Sequence, residues 1–405
     1  MTQVTKGLEV LTRLPEGRVR QQHELDLRIA LGPALIATQG WAALDTGKTY
    51  ARARELCEQL GQQQHLGSVL FGQYTHHRSR AEFRLASEQA EALLRLGEAR
   101  KDVVLTAVAH HNRGEVNVCL GEFASGRADL EQSLALFDAG DRSALRELTD
   151  VDLHAVTLLW LSKALARLGY LDQARMQRDA ALTEARQLSH AFSRAYALLF
   201  GLFTERGERP AGASLLLAEE VLDLSAEHGF QLLNAAGAVH RGWCLSMLGR
   251  EVEGIDQLKR GLDAYRSFGT VLAVPYQLTL LAEAYGVARQ PEAGLECLAE
   301  AARLMEQTLE REFEAELYRV RGELRAALGD PTTAEESYCA ARDVARRQSA
   351  KLWQLRASTS LARLWRDQGK RTEARDLLAP IYGWFTEGFD TPDLKEAKAL
   401  LEELG

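Results

Sequence analysis

Small residues return at a nearly fixed interval along the chain, and that interval constrains the fold more than anything else. Gly242, Ala282, Gly322 and Ala362 stand 40 residues apart. Going backwards, Gly201, Ser162, Gly114 and Tyr74 continue the series at steps of 41, 39, 48 and 40. Twelve positions after each of these eight anchors stands Ala or Gly: Ala86, Gly126, Ala174, Ala213, Gly254, Gly294, Ala334 and Ala374. Sixteen positions after, seven of the eight residues are apolar or aromatic, and Arg178 is the exception. A fixed period of this length marks a tandem array of helical hairpins, each burying its apolar face against the next. The small residues let two helices approach, and the larger ones fill the space beside them.

The turn inside each hairpin is also visible. Gly121, Gly169, Gly249, Gly329 and Gly369 sit seven residues after their anchors, where glycine ends a helix in a left-handed conformation at little cost. Glu208 and Arg289 replace it in two units, and Pro210, Pro291 and Pro331 follow where a proline can open the second helix. Composition agrees: straight-chain helix formers recur and only 8 of 405 residues are proline. The expected fold is an all-α, tetratricopeptide (TPR)-type right-handed superhelix of about nine hairpins. Residues 1–20 form an N-terminal segment, 21–390 the repeat array, and 391–405 a capping helix. Thr391, Pro392 and Asp393 would start that helix, and Leu394, Ala397, Leu400, Leu401 and Leu404 give it one apolar stripe. In this register, Gly254→Leu or Ala334→Leu would wedge two helices apart, at ~1–3 kcal/mol. The 48-residue step holds an insert, Asp138 to Asp152, of the kind that maps to a loop and often to a binding face.

Chemistry is sparse. The net charge is −8 with both signs interspersed, which is not the basic stripe of a nucleic-acid binder. No apolar run reaches the ~18–20 residues that span a bilayer, and Met1 to Leu14 has no apolar core for a secretory signal. A cytoplasmic protein is expected, with neither nucleic acid nor membrane as partner. The five scattered cysteines, Cys57, Cys119, Cys244, Cys297 and Cys339, contain no CxxC pair and read as small buried thiols. Ala42 to Thr49, AALDTGKT, fits a relaxed phosphate-loop pattern. The segment before it reads as a helix rather than a strand, and Ala replaces the first glycine. His76–His77 and His110–His111 are adjacent pairs, and neighbours on a helix point about 100° apart, which is poor metal-ligand geometry. No catalytic, cofactor or metal site is expected, and a nucleotide-binding enzyme built on AALDTGKT is the alternative.

The first helix of each hairpin should line the concave side. Counting from the anchors places His111, Lys163, Leu198, Trp243, Glu283, Arg319, Glu323, Arg356, Arg363 and Arg366 on an inner groove for a protein or peptide partner. The middle repeats offer an apolar wall around Leu198 and Trp243. The later ones offer arginines that would suit an acidic stretch.

Three segments carry a family likeness: LGPALIATQGW (Leu31 to Trp41), YARARELCEQLG (Tyr50 to Gly61) and LLAPIYGWFTEGFDTPDLKEAKALLEEL (Leu377 to Leu404). The chain resembles the C-terminal TPR region of large bacterial proteins that join an adenylate/guanylate cyclase-like domain, a STAND-type ATPase module and a TPR array. The likeness implies a sensor or protein-interaction arm in signalling, with a cyclase or ATPase signalling module as partner. Neither enzymatic part is in this chain. The insert also departs from the family, having ELTDVD where relatives tend to carry Gly-Gln-Asp-Pro.

Overall fold

The computed structural model describes residues 2–11, 13–139, 145, 148, 149, 151–204 and 211–405. Among them the regular structure is helical, with no strand. Helix α1 (Thr2–Leu11) precedes α2 (Arg18–Gln39) and α3 (Leu44–Leu60), which form the first hairpin. Then come α4 (Leu66–Ser79) with α5 (Phe83–Arg100), α6 (Val103–Cys119) with α7 (Phe123–Ala139), and α8 (Leu153–Leu168) with α9 (Leu171–Gln187). The middle of the array pairs α10 (Ala191–Thr204) with α11 (Ala211–His228), and α12 (Gln231–Met247) with α13 (Glu251–Ser267). It continues through α14 (Val274–Val287) with α15 (Pro291–Thr308), α16 (Glu314–Ala327) with α17 (Pro331–Arg347), and α18 (Lys351–Asp367) with α19 (Arg371–Tyr382). Helix α20 (Pro392–Leu404) closes it. Among the described residues this makes nine hairpins and a terminal helix.

The spacing of small residues is explained by contacts within each hairpin. A Cβ placed on Gly254 would lie 2.4 Å from the Gly242 carbonyl oxygen, and one on Gly242 would lie 2.7 Å from that of Gly254. Gly294 stands in the same relation to Ala282 (3.0 Å), and Gly126 to Gly114 (3.1 Å). In the hairpin of α8 and α9 the Ser162 hydroxyl donates to the Ala174 carbonyl at 2.7 Å. In these four hairpins the anchor and the residue twelve positions on therefore stand in direct contact, backbone to backbone in the first three. The five turn glycines have φ between 75° and 97°. Arg289 and Ala81 take up the same left-handed conformation at φ 57° and 55° despite their side chains. In both, the next amide closes onto the helix, Gln290 N on Tyr285 O and Glu82 N on His77 O, each at 2.9 Å. Glu208 and Pro210 lie outside the described residues. Pro291, Pro331 and Pro392 each open a helix as expected. Thr391 stands at the N-cap of α20, but its hydroxyl donates backwards to the Gly388 carbonyl at 2.6 Å.

Adjacent units are not the whole of the packing. The carbonyl at the end of α4, Ser79 O, accepts from Val271 N (2.9 Å) and Leu272 N (3.1 Å) in the link before α14. The carbonyl at the end of α6, Cys119 O, accepts from Arg311 N (2.8 Å) and Glu312 N (3.2 Å) in the link before α16. Each of these rungs joins segments four to five units apart, so successive turns of the superhelix touch. Helix α8 is caught between them, and all of Leu153–Leu168 is buried, Lys163 and Arg167 included.

A third inter-turn contact uses the segment before α20. Glu387 caps the N-terminus of α9, its carboxylate accepting from Asp172 N (3.0 Å) and Gln173 N (3.2 Å). Arg175 donates twice to Asp390, at 3.0 and 2.9 Å, and Trp384 packs edge-on against Tyr170. A carboxylate at a helix N-terminus satisfies free amides and meets the positive end of the dipole. Glu387→Ala is expected to cost about 1 kcal/mol. It should also speed amide exchange at Asp172 and Gln173. Unchanged exchange there would show that the clasp does not hold in solution.

Candidate functional site

The residues expected on the inner groove fall into two groups. His111, Lys163 and Leu198 are buried, at 2%, 4% and 0% exposure. They belong to the packed centre of the superhelix rather than to an open groove. His111 Nδ1 lies 2.8 Å from Thr157 Oγ1, and burial pulls its imidazole down to about 4, so it is neutral at pH 7. Lys163 donates to Glu312 at 2.9 Å and sits 4.2 Å above the Trp160 ring. The second turn supplies Glu312, and this explains why counting within one hairpin misplaces Lys163.

The remaining seven residues are half-buried and paired. Trp243 Nε1 donates to Glu283 at 3.0 Å. Glu283 also accepts from Arg319 at 3.3 Å, and Arg319 reaches Glu316 at 2.8 Å and bonds Glu323. Burial alone would favour a neutral Arg319, but Glu316, Glu323 and Glu283 outweigh it and hold the guanidinium charged. Arg356 forms a two-pronged contact with Asp393, 2.8 Å on each side, and touches Glu316 at 3.4 Å. Arg363 pairs with Glu396, and Arg366 with Asp367 (2.9 Å) and Glu403 (2.8 Å). The arginines expected to form a basic wall are thus paired within the chain. Helix α20 lays Asp393, Glu396 and Glu403 against those arginines, so the chain itself supplies the acidic complement.

Two buried ion groups were not picked out from the sequence. Arg78 bonds Glu115, which also accepts from the Tyr74 hydroxyl at 2.8 Å, while Tyr196 stands 3.2 Å from the same guanidinium. Lys163 and Arg167 share Glu312, at 2.9 and 3.4 Å. The signal for the second group was present: both cations interrupt the otherwise apolar run LHAVTLLWLSKALARL one turn apart.

Beside these groups lie two cavities. The larger, about 500 Å³, is framed by α2, α4, α10 and the start of α8. Its wall includes Ile29, Ile36, Phe71, Phe192 and Phe230, and among the described residues it contains no Asp, Glu, Lys or Arg. Ala37 and His190 are exposed at its rim. Of the insert Asp138 to Asp152, Leu148, Thr149 and Val151 reach this wall, and most of the rest lies outside the described residues. Trp41 and Tyr196, with ring centroids 5.3 Å apart, belong both to this wall and to that of a second cavity of about 60 Å³. The smaller one is lined by Arg78, Lys163, Glu310 and Glu312 among aromatic rings. Burial and the neighbouring Glu312 push the Glu310 carboxyl up to about 8.

The motifs set aside on sequence grounds have ordinary surroundings. Ala42 to Thr49 follows helix α2, and Gly47 N is bonded within the first turn of α3 to Ala43 O at 3.2 Å. The Thr46 hydroxyl donates to Gly40 O at 3.1 Å. His76, His77 and His110 lie against Trp41 O, Glu82 and Asp129 at 2.9, 2.7 and 2.9 Å. Among the described residues no group of three His, Cys, Asp or Glu is placed to hold a metal ion, and no helix is long and apolar enough to cross a membrane.

No protein-family model matches the chain. It is 25% identical over 371 residues to an uncharacterized protein of Rhizobium meliloti (strain 1021). That match covers 88% of this chain and 35% of the relative, so the chain spans about a third of the relative's length. Among solved structures, a Rap protein complexed with Competence and Sporulation Factor superposes with a TM-score of 0.59 at 12% identity, over 94% of this chain and 99% of that one. A STAND protein with a tetratricopeptide repeat sensor, from Pyrococcus horikoshii, gives 0.44 at 15% identity, over 95% of this chain and 54% of that one. The packed helix pairs and the first of these superpositions make the chain an all-α solenoid of the tetratricopeptide type.

Proposed function

We propose that the chain is a non-catalytic interaction and sensor module that takes an apolar segment of a protein or peptide into the larger cavity. The observation that carries this reading is the cavity's chemistry. At about 500 Å³ it has the size of a ligand site, and its described wall, rich in aromatic rings and without Asp, Glu, Lys or Arg, suits apolar side chains rather than a charged substrate. The family likeness adds a setting, the bacterial cytoplasm, and a class of partner, a cyclase or ATPase signalling module. Trp243, half-buried further along the array, is a second contact for a partner that runs along the concave side.

A displayed library of random heptapeptides, selected on the full chain, tests the reading. Selected peptides are expected to share apolar positions. Ala37→Trp, which places a ring at the rim, should weaken them about 30-fold or more, as loss of a buried anchor does. Trp243→Ala should weaken only longer peptides. Peptides that bind Ala37→Trp as tightly as the parent would move the site elsewhere.

A further inference from the structure

The larger cavity is not apolar in the same way on every side. Helix α2 gives it an aliphatic stripe of Ile29, Pro33 and Ile36, spaced four and three residues apart and so on one face. Helix α10 gives it rings. Phe192 and Tyr196 stand one turn apart, nearly parallel at 12°, with centroids separated by 6.1 Å. Trp41, from the link between α2 and α3, leans on both, at 5.7 and 5.3 Å. Phe230, from the link between α11 and α12, stands edge-on to Phe192 at 5.1 Å and 89°. Four rings from three separate stretches of chain therefore meet in one cluster on the chamber wall. Trp41 and Tyr196 are buried, whereas Phe192 and Phe230 are half-buried and keep ring surface free for an occupant.

The polar atoms nearby ask little of a ligand. The Ser68 hydroxyl donates to His65 O and that of Thr75 to Gly72 O, each at 3.0 Å. The Thr149 hydroxyl donates to Val151 O at 2.6 Å, and Tyr196 Oη accepts from Arg78 at 3.2 Å. Selection at such a wall falls to shape and to the electrostatics of the rings. An aromatic ring is negative on its face and positive at its edge, so a further ring gains more from this cluster than the burial of its area. It also brings a large contact surface with only two side-chain torsions to fix.

We propose that the partner segment enters this chamber through an aromatic side chain, Phe or Trp, packed against Phe192 and Phe230 and covered by the aliphatic stripe of α2. This rests on the reading of the cavity as the partner's site and narrows it, because aliphatic anchors of the same size are passed over.

The test separates ring chemistry from size. N-acetylphenylalanine amide and N-acetylcyclohexylalanine amide are titrated into the full chain, with affinities read by calorimetry. The saturated ring buries at least as much apolar area, so area alone makes it the equal or better ligand. The phenyl compound is expected to bind about fivefold tighter. Phe192→Leu and Phe230→Leu keep the wall apolar and remove one ring each. Each should at least halve that ratio by weakening the phenyl compound, whereas a loosened fold would weaken both compounds alike. Ala37→Trp, at the rim, should weaken both. If the two compounds bind alike and Ala37→Trp weakens both, the aromatic inference is overturned and the apolar reading of the chamber stands. The inference is also overturned if both leucine variants keep the parent's ratio. If neither compound binds the parent, or Ala37→Trp weakens neither, the reading of the chamber falls and the inference with it.

Discussion

Glu312→Gln is expected to destabilise the protein by about 3–5 kcal/mol, the range for removing one side of a buried ion pair. The substitution removes the carboxylate that Lys163 and Arg167 share, and both are buried, at 4% and 1% exposure. Their charges cannot escape to water, because α8 is covered along its whole length. Aromatic faces compensate only in part: Lys163 lies over Trp160, and Arg167 lies 4.2 Å from the centre of the Trp353 ring. Urea unfolding of the parent and the variant measures the loss. A triple replacement, Lys163→Met with Arg167→Leu and Glu312→Leu, should recover most of it, since burying no charge costs less than burying unmatched ones. Equal midpoints for the parent and Glu312→Gln would mean that the triad is not formed in solution.

Gly254→Leu should be nearly as severe, at about 3 kcal/mol or more, which is the upper end of what overpacking costs. The Ser246 hydroxyl, 2.2 Å from a Cβ placed here, could turn away, but the backbone behind it could not. A Cβ at this position would sit 2.4 Å from Gly242 O and 2.6 Å from Ser246 N. Even Gly254→Ala must push α12 and α13 apart. Gly212, with nothing within 4 Å of its Cβ position, is the control. Gly212→Ala should be neutral or slightly stabilising, because alanine is the better helix former. Denaturant midpoints for the two alanine variants separate a packing effect from a helix-propensity effect. If the two glycines tolerate alanine alike, the close approach of α12 and α13 is absent.

Why was one of these sites visible in the sequence and the other not? Gly242 and Gly254 touch within a single hairpin, so their contact repeats with the period and leaves a mark every 40 residues. The same holds for the turn glycines and for the prolines that open helices. Glu312 acts across the superhelix on residues of α8, and no periodic trace records which loop lands on which helix. For the same reason counting within one hairpin places Lys163 and His111 on an open groove, whereas both are buried. Taken by themselves the arginines of α18 make a basic wall, and their acidic partners stand one helix further on, in α20. Asp393, expected only to help start its own helix, also reaches Arg356 with its carboxylate. The apolar chamber draws on α2, α4, α8 and α10 at once, so no single stretch of sequence announces it. That a helix rather than a strand precedes Ala42 to Thr49 is a local matter, and the local sequence shows it.

The rungs from Ser79 O and Cys119 O to the links before α14 and α16 have a consequence for how such a chain can change length. An array whose units meet only their neighbours can gain or lose one at nearly any point. Here each rung presupposes a fixed number of units between its two ends. Excising a single 40-residue unit between α6 and α14 would bring every later loop to the wrong carbonyl, leaving two helix ends unmatched and α8 uncovered. Such a chain is indexed, like a thread cut to a set number of turns. Its ends can be trimmed or extended, but its middle can be edited only by whole turns of the screw.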